Sequence, residues 1–348
     1  MNNTDLKSIG QPFSNKIDLD GKTFLYFGGT AYLGIPQNAA FVELYVNGIK
    51  KFGLNNGTSR NNNVQLGIYN EAEAEAATRF GAEDALITSS GYLAAQITVK
   101  VLSASGNVVY APGTHPALWL DEPPTVTARS FTEWTNETVA LINSSNEENW
   151  VLISNSMNNL FPEIFDFGFV ELINADKNIT LIIDDSHGIG INNNGLGAMA
   201  KVPRKKNVNV VVVASMAKAL GVDAGIVLGP KLIIDRLKET NVFVGASPPA
   251  AAGLYAFISA AQIYEQALEK LQENILQLCS ALGEQWKFAN GFPAFLIDDA
   301  KIDQALLKQQ ILISSFPYPN KESDPINRII LSSWHTRDNI DRLIAALS

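Results

Sequence analysis

The stretch from Leu181 to Gly225 constrains this chain most. It opens with Leu181-Ile182-Ile183-Asp184-Asp185-Ser186-His187-Gly188 and resumes, after a loop, with Val210-Val211-Val212-Val213-Ala214-Ser215-Met216-Ala217-Lys218-Ala219-Leu220-Gly221. Each half is a short apolar, largely β-branched run that ends in polar residues. Such runs read as strands buried in a parallel sheet, with a site at their carboxyl ends. The first strand end delivers two acids and a histidine. The second delivers Ser215 and then Lys218, set among alanines and almost no charge. Desolvation in such a setting lowers a lysine's pKa and makes it a usable amine nucleophile. An acid, a histidine and a reactive lysine on neighbouring strand ends suit pyridoxal phosphate. The lysine would hold the cofactor as a Schiff base, and the acid would keep its pyridine nitrogen protonated.

Asp184-Asp185-Ser186-His187-Gly188 followed by Ser215-Met216-Ala217-Lys218-Ala219-Leu220-Gly221 resembles the α-oxoamine synthase family of fold-type I pyridoxal-phosphate enzymes. The likeness extends to Tyr32-Leu33-Gly34, Gly57-Thr58-Ser59-Arg60, Ser89-Ser90-Gly91-Tyr92 and Arg328-Ile329-Ile330-Leu331-Ser332-Ser333-Trp334-His335-Thr336. Several positions depart from the family pattern, among them 111–114 before His115, Ala72-Glu73 and Gly245-Ala246-Ser247. Thr30 stands where asparagine is usual, Tyr69 where histidine is usual, and Leu152 where an acid is usual.

The resemblance implies an α/β fold with a mostly parallel central sheet, helices on both faces, and a small α+β domain made from both chain ends. The expected division is residues 1–40 contributing to the small domain, 41–245 as the large cofactor-binding domain, and 246–348 as the C-terminal small domain. It also implies roles. Asp184 would meet the pyridine nitrogen, His115 would stack on the ring, and His187 with Ser156 would meet the phenolic oxygen. Ser90, Gly91, Tyr92 and Ser215 would hold the phosphate, with Ser247 reaching the phosphate of a partner subunit in a homodimer. Arg328 would bind a substrate carboxylate, and Lys218 would act as general base once released. The implied reaction is acyl transfer from a coenzyme A thioester to a small amino acid. Amino transfer to a keto acid is the second reading, and a non-catalytic scaffold the third.

Some of this stands on residue chemistry without the resemblance. Serines and a glycine at the turn from Ala85-Leu86-Ile87-Thr88 into a helix would offer free N–H groups at a helix N-terminus, which suits an anion. The same residues are also ordinary N-cap chemistry. Ser215-Met216-Ala217-Lys218 has the Ser-x-x-Lys form of penicillin-recognising enzymes, but the accompanying Ser-Asp-Asn and Lys-Thr-Gly strings are missing. Asp184, Asp185 and His187, with His115 or His335, have the donor types of a metal site; that reading leaves Lys218 unexplained. Gly188-Ile189-Gly190 fails the dinucleotide fingerprint at its third glycine.

Composition sets the remaining bounds. The chain has 348 residues, 46% of them hydrophobic, and a formal net charge of -9 with no basic cluster beyond Arg204-Lys205-Lys206. That balance disfavours nucleic acid and anionic membranes as partners. The single cysteine, Cys279, excludes an internal disulfide framework and reads as a helix core position. Met1-Asn2-Asn3-Thr4-Asp5-Leu6 lacks the pattern of a secretory leader, so a cytoplasmic enzyme is expected. The spacing predicts a helix over 41–52 ending at Gly53, and a long helical region over 255–288.

Overall fold

The computed structural model describes residues 6–158, 160–317 and 322–347. Most of the opening segment, Met1 to Asp5, lies outside them.

The two runs of the constraining stretch are strands Asn178–Asp184 and Val208–Ser215, adjacent and parallel, with Ile183 opposite Val212 and Asp184 opposite Val213. Their central runs, residues 181–183 and 210–214, are apolar throughout because the sheet is covered on both faces. Leu181, Ile183 and Val212 pack into one core layer, while Ile182, Val211 and Val213 pack into the other. Around them the sheet runs in the order Asp84–Thr88, Gly225–Gly229, Val208–Ser215, Asn178–Asp184, Asn149–Asn155 and Asn107–Tyr110. Only Gly225–Gly229 runs against its neighbours. The expected mostly parallel sheet is therefore present, and every parallel crossover delivers its polar residues to the same end.

A second six-stranded sheet joins the two ends of the chain. Its order is Lys16–Leu19, Lys22–Phe27, Ile311–Pro317, Pro325–Ile330, Ala294–Ile297 and Trp286–Phe288. Lys22–Phe27 pairs in parallel with Ile311–Pro317, so an N-terminal strand completes a C-terminal sheet. Just beyond Arg328, residues 331–335 grip the segment 31–33. Ser332 Oγ donates to the Ala31 carbonyl at 2.7 Å, and Ser333 Oγ donates to the Leu33 carbonyl at 2.7 Å.

The helix expected over 41–52 spans Ala39–Phe52 and stops at Gly53, whose φ of 79° few other residues adopt readily. The long helical region expected over 255–288 divides instead. Helices Ala251–Ser259 and Ala261–Cys279 are separated at Ala260, where φ is -104° and ψ is 17°, and the chain turns into a strand at Trp286. The first helix packs on helices Ala39–Phe52 and Ile68–Phe80, while the second runs beside Arg337–Leu347. The second helix touches both ends of the fold: Tyr264 packs beside Phe41 and Phe257, and Asn274 donates to the Ser332 and His335 carbonyls. Among the described residues, no helix is long and apolar enough to cross a membrane.

Candidate active site

Four strand ends and one helix start surround a cavity of about 170 Å³ at the carboxyl end of the central sheet. Asp184 is the last residue of its strand, and its Oδ1 accepts the Ser186 N–H at 2.9 Å. Ser186 Oγ in turn accepts the Ser215 N–H at 2.9 Å, which ties the acid-bearing strand end to the lysine-bearing one. Lys218 follows on the turn after Ser215 and lines the same cavity. Burial lowers its pKa from the ordinary lysine value, and the neighbouring Asp184 carboxylate offsets part of that shift.

Opposite the lysine strand, Thr88 leads into helix Gly91–Leu102, with Ser90 as N-cap accepting the Leu93 N–H at 3.2 Å. A Cβ on Gly91 would stand 2.7 Å from Ser215 Cα, so only glycine lets this helix start lie against the strand end. The first N–H groups of a helix have no intrahelical partner, and here they open toward the cavity at Gly91 and Tyr92.

The two imidazoles of the cavity are held differently. His115 Nδ1 accepts the Ala117 N–H at 3.1 Å, so its neutral form carries the proton on Nε2. Asn155 fixes the His115 loop from both sides: its Oδ1 accepts the His115 N–H at 3.2 Å and its Nδ2 donates to the Gly113 carbonyl at 2.8 Å. His187 is hydrogen-bonded through Nδ1 to the Tyr32 hydroxyl at 2.8 Å. Its pKa lies well below the usual histidine value, first through burial and then through the positive charges of Lys218 and Arg328 and the neighbouring His115. His187 is therefore neutral at physiological pH.

Arg328 lies on strand Pro325–Ile330 of the second sheet, opposite Leu296 on one side and Ser314 on the other. Its guanidinium stacks over Phe316 at 5.1 Å, and its charge acts on both Tyr32 and His187. The second sheet thus brings a cation close enough to act on His187, although Arg328 itself is not among the residues lining the cavity.

Of the residues singled out from the sequence, the structure gathers Gly91, Tyr92, His115, Asp184, His187, Ser215 and Lys218 around one cavity. Ser90 stands beside them, with its hydroxyl occupied as the helix cap. Ser156 and Ser247 are not in this group. Strand side chains alternate, so Asn155 and Met157 face the cavity and Ser156 faces the far side, beside Asp185. Ser247 lines a separate cavity of about 340 Å³ with residues 54–59 and Tyr69. At this strand end it is Asn155, directly opposite Asp184 in the ladder, that faces the cavity. Counting the strand period back from Met157 would have found it. Tyr32 carried a motif but no sign of its contact with His187, which only the meeting of the two sheets creates.

Two other readings meet the geometry. His335 is buried, stacked on Phe27 at 4.4 Å, with Nε2 bonded to the Tyr26 carbonyl at 2.9 Å and Nδ1 accepting the Ser332 N–H at 2.9 Å. It pins the chain ends together rather than serving a metal. Asp184 and Asp185 face opposite sides, and among the described residues no three histidine, cysteine or acidic side chains converge on one point. A larger cavity of about 630 Å³ lies at the other end of the central sheet, beside Arg204 and Lys206, and contains none of these groups.

The donor set fits pyridoxal phosphate group by group. The glycine-opened helix start suits the phosphate, Asp184 the pyridine nitrogen, and the partly desolvated Lys218 the aldehyde. A fold and a site of this kind define the pyridoxal-phosphate-dependent transferases of fold type I. The chain belongs to the aminotransferase class I and II family, whose profile matches residues 33–347. It is 24% identical to an 8-amino-7-oxononanoate synthase of Hahella chejuensis over 359 residues, 98% of this chain and 90% of that protein. Two solved structures share its fold. The serine palmitoyltransferase of Sphingomonas wittichii aligns with a TM-score of 0.81 at 16% identity, covering 97% of this chain and 90% of that one. That of S. paucimobilis, solved with bound PLP–myriocin, aligns at 0.79 and 14% identity with the same coverage.

Proposed function

We propose that this protein is a pyridoxal-phosphate-dependent transferase that joins a small amino acid to the acyl group of a thioester. The observation that carries the reading is the convergence of Lys218, Asp184 and two imidazoles beside the Gly91 helix start, with a guanidinium arriving from the other sheet. The family membership fixes the cofactor class. The relatives named for 8-amino-7-oxononanoate and palmitoyl transfer support acyl transfer over amino transfer.

The cofactor supplies an electron sink for a carbanion at the amino acid's Cα. The chain does the rest. Gly91, Tyr92 and Ser215 would hold the phosphate, and Asp184 would keep a proton on the pyridine nitrogen. Lys218 would hold the cofactor at its aldehyde and, as a free amine, would take the Cα proton of the amino acid. Its lowered pKa leaves more of it in the free-amine form that this step needs. Arg328 binds the α-carboxylate with two parallel N–H donors. His187, neutral and buried, would present a hydrogen bond rather than a charge beside the ring. His115, with its Nδ1 already occupied by the Ala117 N–H, would lie against the ring.

Residues 1–40 and 246–348 would act as the small domain that carries Arg328, and 41–245 as the cofactor-binding body. A homodimer would place Ser247 and residues 54–59 of one subunit near the phosphate of the other, which accounts for Ser247 standing apart from Lys218 within one chain. Amino transfer is the second reading, because the same residues also serve it.

Two measurements test the proposal. Borohydride reduction of cofactor-loaded protein should fix the cofactor's mass on the peptide containing Lys218, and Lys218→Ala should abolish the label. A panel of amino acids with acyl-coenzyme A should release free thiol. A keto acid appearing without thiol would move the assignment to amino transfer.

A further inference from the structure

Tyr32 belongs to one body of the fold and its hydrogen-bond partner to the other. Its backbone carbonyl accepts the Ser333 N–H at 3.0 Å, and its ring packs edge-on against Phe292 at 5.5 Å. It is thus clamped to the segment that continues the Arg328 strand. Its hydroxyl nevertheless reaches His187, on the loop after the central strand, at 2.8 Å. Tyr32 is only 2% exposed, and no bulk water competes for this contact.

The direction of the bond follows from its surroundings. Either partner could donate, because a hydroxyl and a neutral imidazole are both amphoteric. Burial keeps the phenol protonated, and the Arg328 charge lies close enough to act on that hydroxyl. A cation beside an O–H dipole draws the oxygen lone pairs toward itself and turns the proton away. The proton then points at His187 Nδ1, and the imidazole must keep its own proton on Nε2.

We propose that Tyr32 is a positioning residue that reports the guanidinium of Arg328 to His187, fixing the imidazole in its Nε2–H tautomer before substrate arrives. Anything that draws Arg328 toward a carboxylate weakens this bias, so occupancy of the arginine is felt at the imidazole. The use of that signal rests on His187 serving the cofactor; the tautomer itself does not.

The protein has three histidines, which makes the test direct. Cofactor-free protein labelled with 15N-histidine gives six ring nitrogens by long-range proton–nitrogen NMR. His115 and His335 each accept a backbone N–H at Nδ1 and serve as internal standards for the Nε2–H form. His187 of the parent should match them, with an unprotonated Nδ1. Tyr32→Phe should move the two His187 nitrogens toward the tautomer average and leave the other four in place. Arg328→Gln should produce a smaller shift in the same sense, since a hydroxyl no longer biased by the charge can also accept. A parent His187 carrying its proton on Nδ1 overturns the proposal, and that reading needs no variant to fold. Unmoved His187 signals in folded Tyr32→Phe overturn it equally. Failure of borohydride to label Lys218 would instead defeat the functional reading and leave this result standing.

Discussion

Asp184 lines the cavity with Lys218, whereas Asp185, one residue on, turns its carboxylate to the far side, where Oδ2 accepts the Ala198 N–H at 2.7 Å. The period of two along a strand separates them, and their environments then diverge. Asp185 is 1% exposed, and burial pushes its pKa up to about 7 despite the favourable Ser156 hydroxyl and Ala198 N–H.

Replacing the two acids should therefore give unlike results. Asp184→Asn should retain the cofactor but slow Cα proton exchange of a bound amino acid by about 100-fold or more, the scale of losing a proton-handling group. Asp185→Asn should leave that exchange within a few-fold of the parent. Deuterium exchange at Cα, followed by NMR, measures both. Equal damage would show that the wrong acid has been placed at the pyridine nitrogen.

Asp185 also sets a pH dependence of stability. Its folded pKa is raised, so the folded state holds the proton more tightly than the unfolded state. Its favourable contribution is complete below about pH 4, where both states are protonated, and is lost as pH rises to about 7. Asp185→Asn removes this titration. The melting temperature of the variant relative to the parent should climb between those pH values and then level off. A difference that is flat with pH would mean Asp185 ionises normally.

Gly91→Ala tests the phosphate cradle. The added Cβ would meet Ser215 Cα at 2.7 Å, a backbone contact that no side-chain rotation relieves. Parting the helix start from the strand end should cost about 1–3 kcal/mol of stability. Cofactor affinity should fall at least about tenfold, equivalent to 1.4 kcal/mol. Equilibrium dialysis with pyridoxal phosphate reads the second effect. Unchanged affinity would place the phosphate elsewhere.

Arg328→Lys should keep cofactor binding and weaken the amino acid by roughly 1.5–3 kcal/mol, because an ammonium cannot copy two parallel donors to a carboxylate. Spectral titration of the loaded variant with amino acid gives the dissociation constant directly. An unchanged constant would mean that the carboxylate is held by another group.

Glu73 supplies a prediction about the scaffold. Its side chain is 4% exposed and pairs with Arg60 at 3.2 Å and Lys238 at 3.0 Å, while Oε1 accepts the Ile87 N–H at 3.1 Å. Strand Asp84–Thr88 lies at the edge of its sheet, so this carboxylate satisfies an N–H that no neighbouring strand can take. Glu73→Ala would leave a buried guanidinium and a backbone donor uncompensated, at a cost of about 3–5 kcal/mol. Urea denaturation should show the loss as a lowered midpoint.

The sequence by itself determined the central strands, because a run such as Val210–Val213 can be apolar throughout only where both faces of a sheet are covered. It also determined which residues stand at the strand ends, since order along a strand is order in space. That is why Asp184, His187, Ser215, Lys218 and Gly91 were legible as one group. Facing is legible in principle from the same period of two, yet Ser156 was placed by motif and Asn155 passed over. What only the tertiary structure decided is everything that joins segments far apart in sequence. The Tyr32–His187 bond spans 155 positions, and the pinning of His335 to Tyr26 spans 309. The break at Ala260 belongs to the same class, because the stripe from Tyr264 to Leu278 lies wholly within the second helix and does not record where the first one ends. Local pattern records what a residue needs to bury; which partner meets that need depends on chain closure, and no short-range periodicity encodes it.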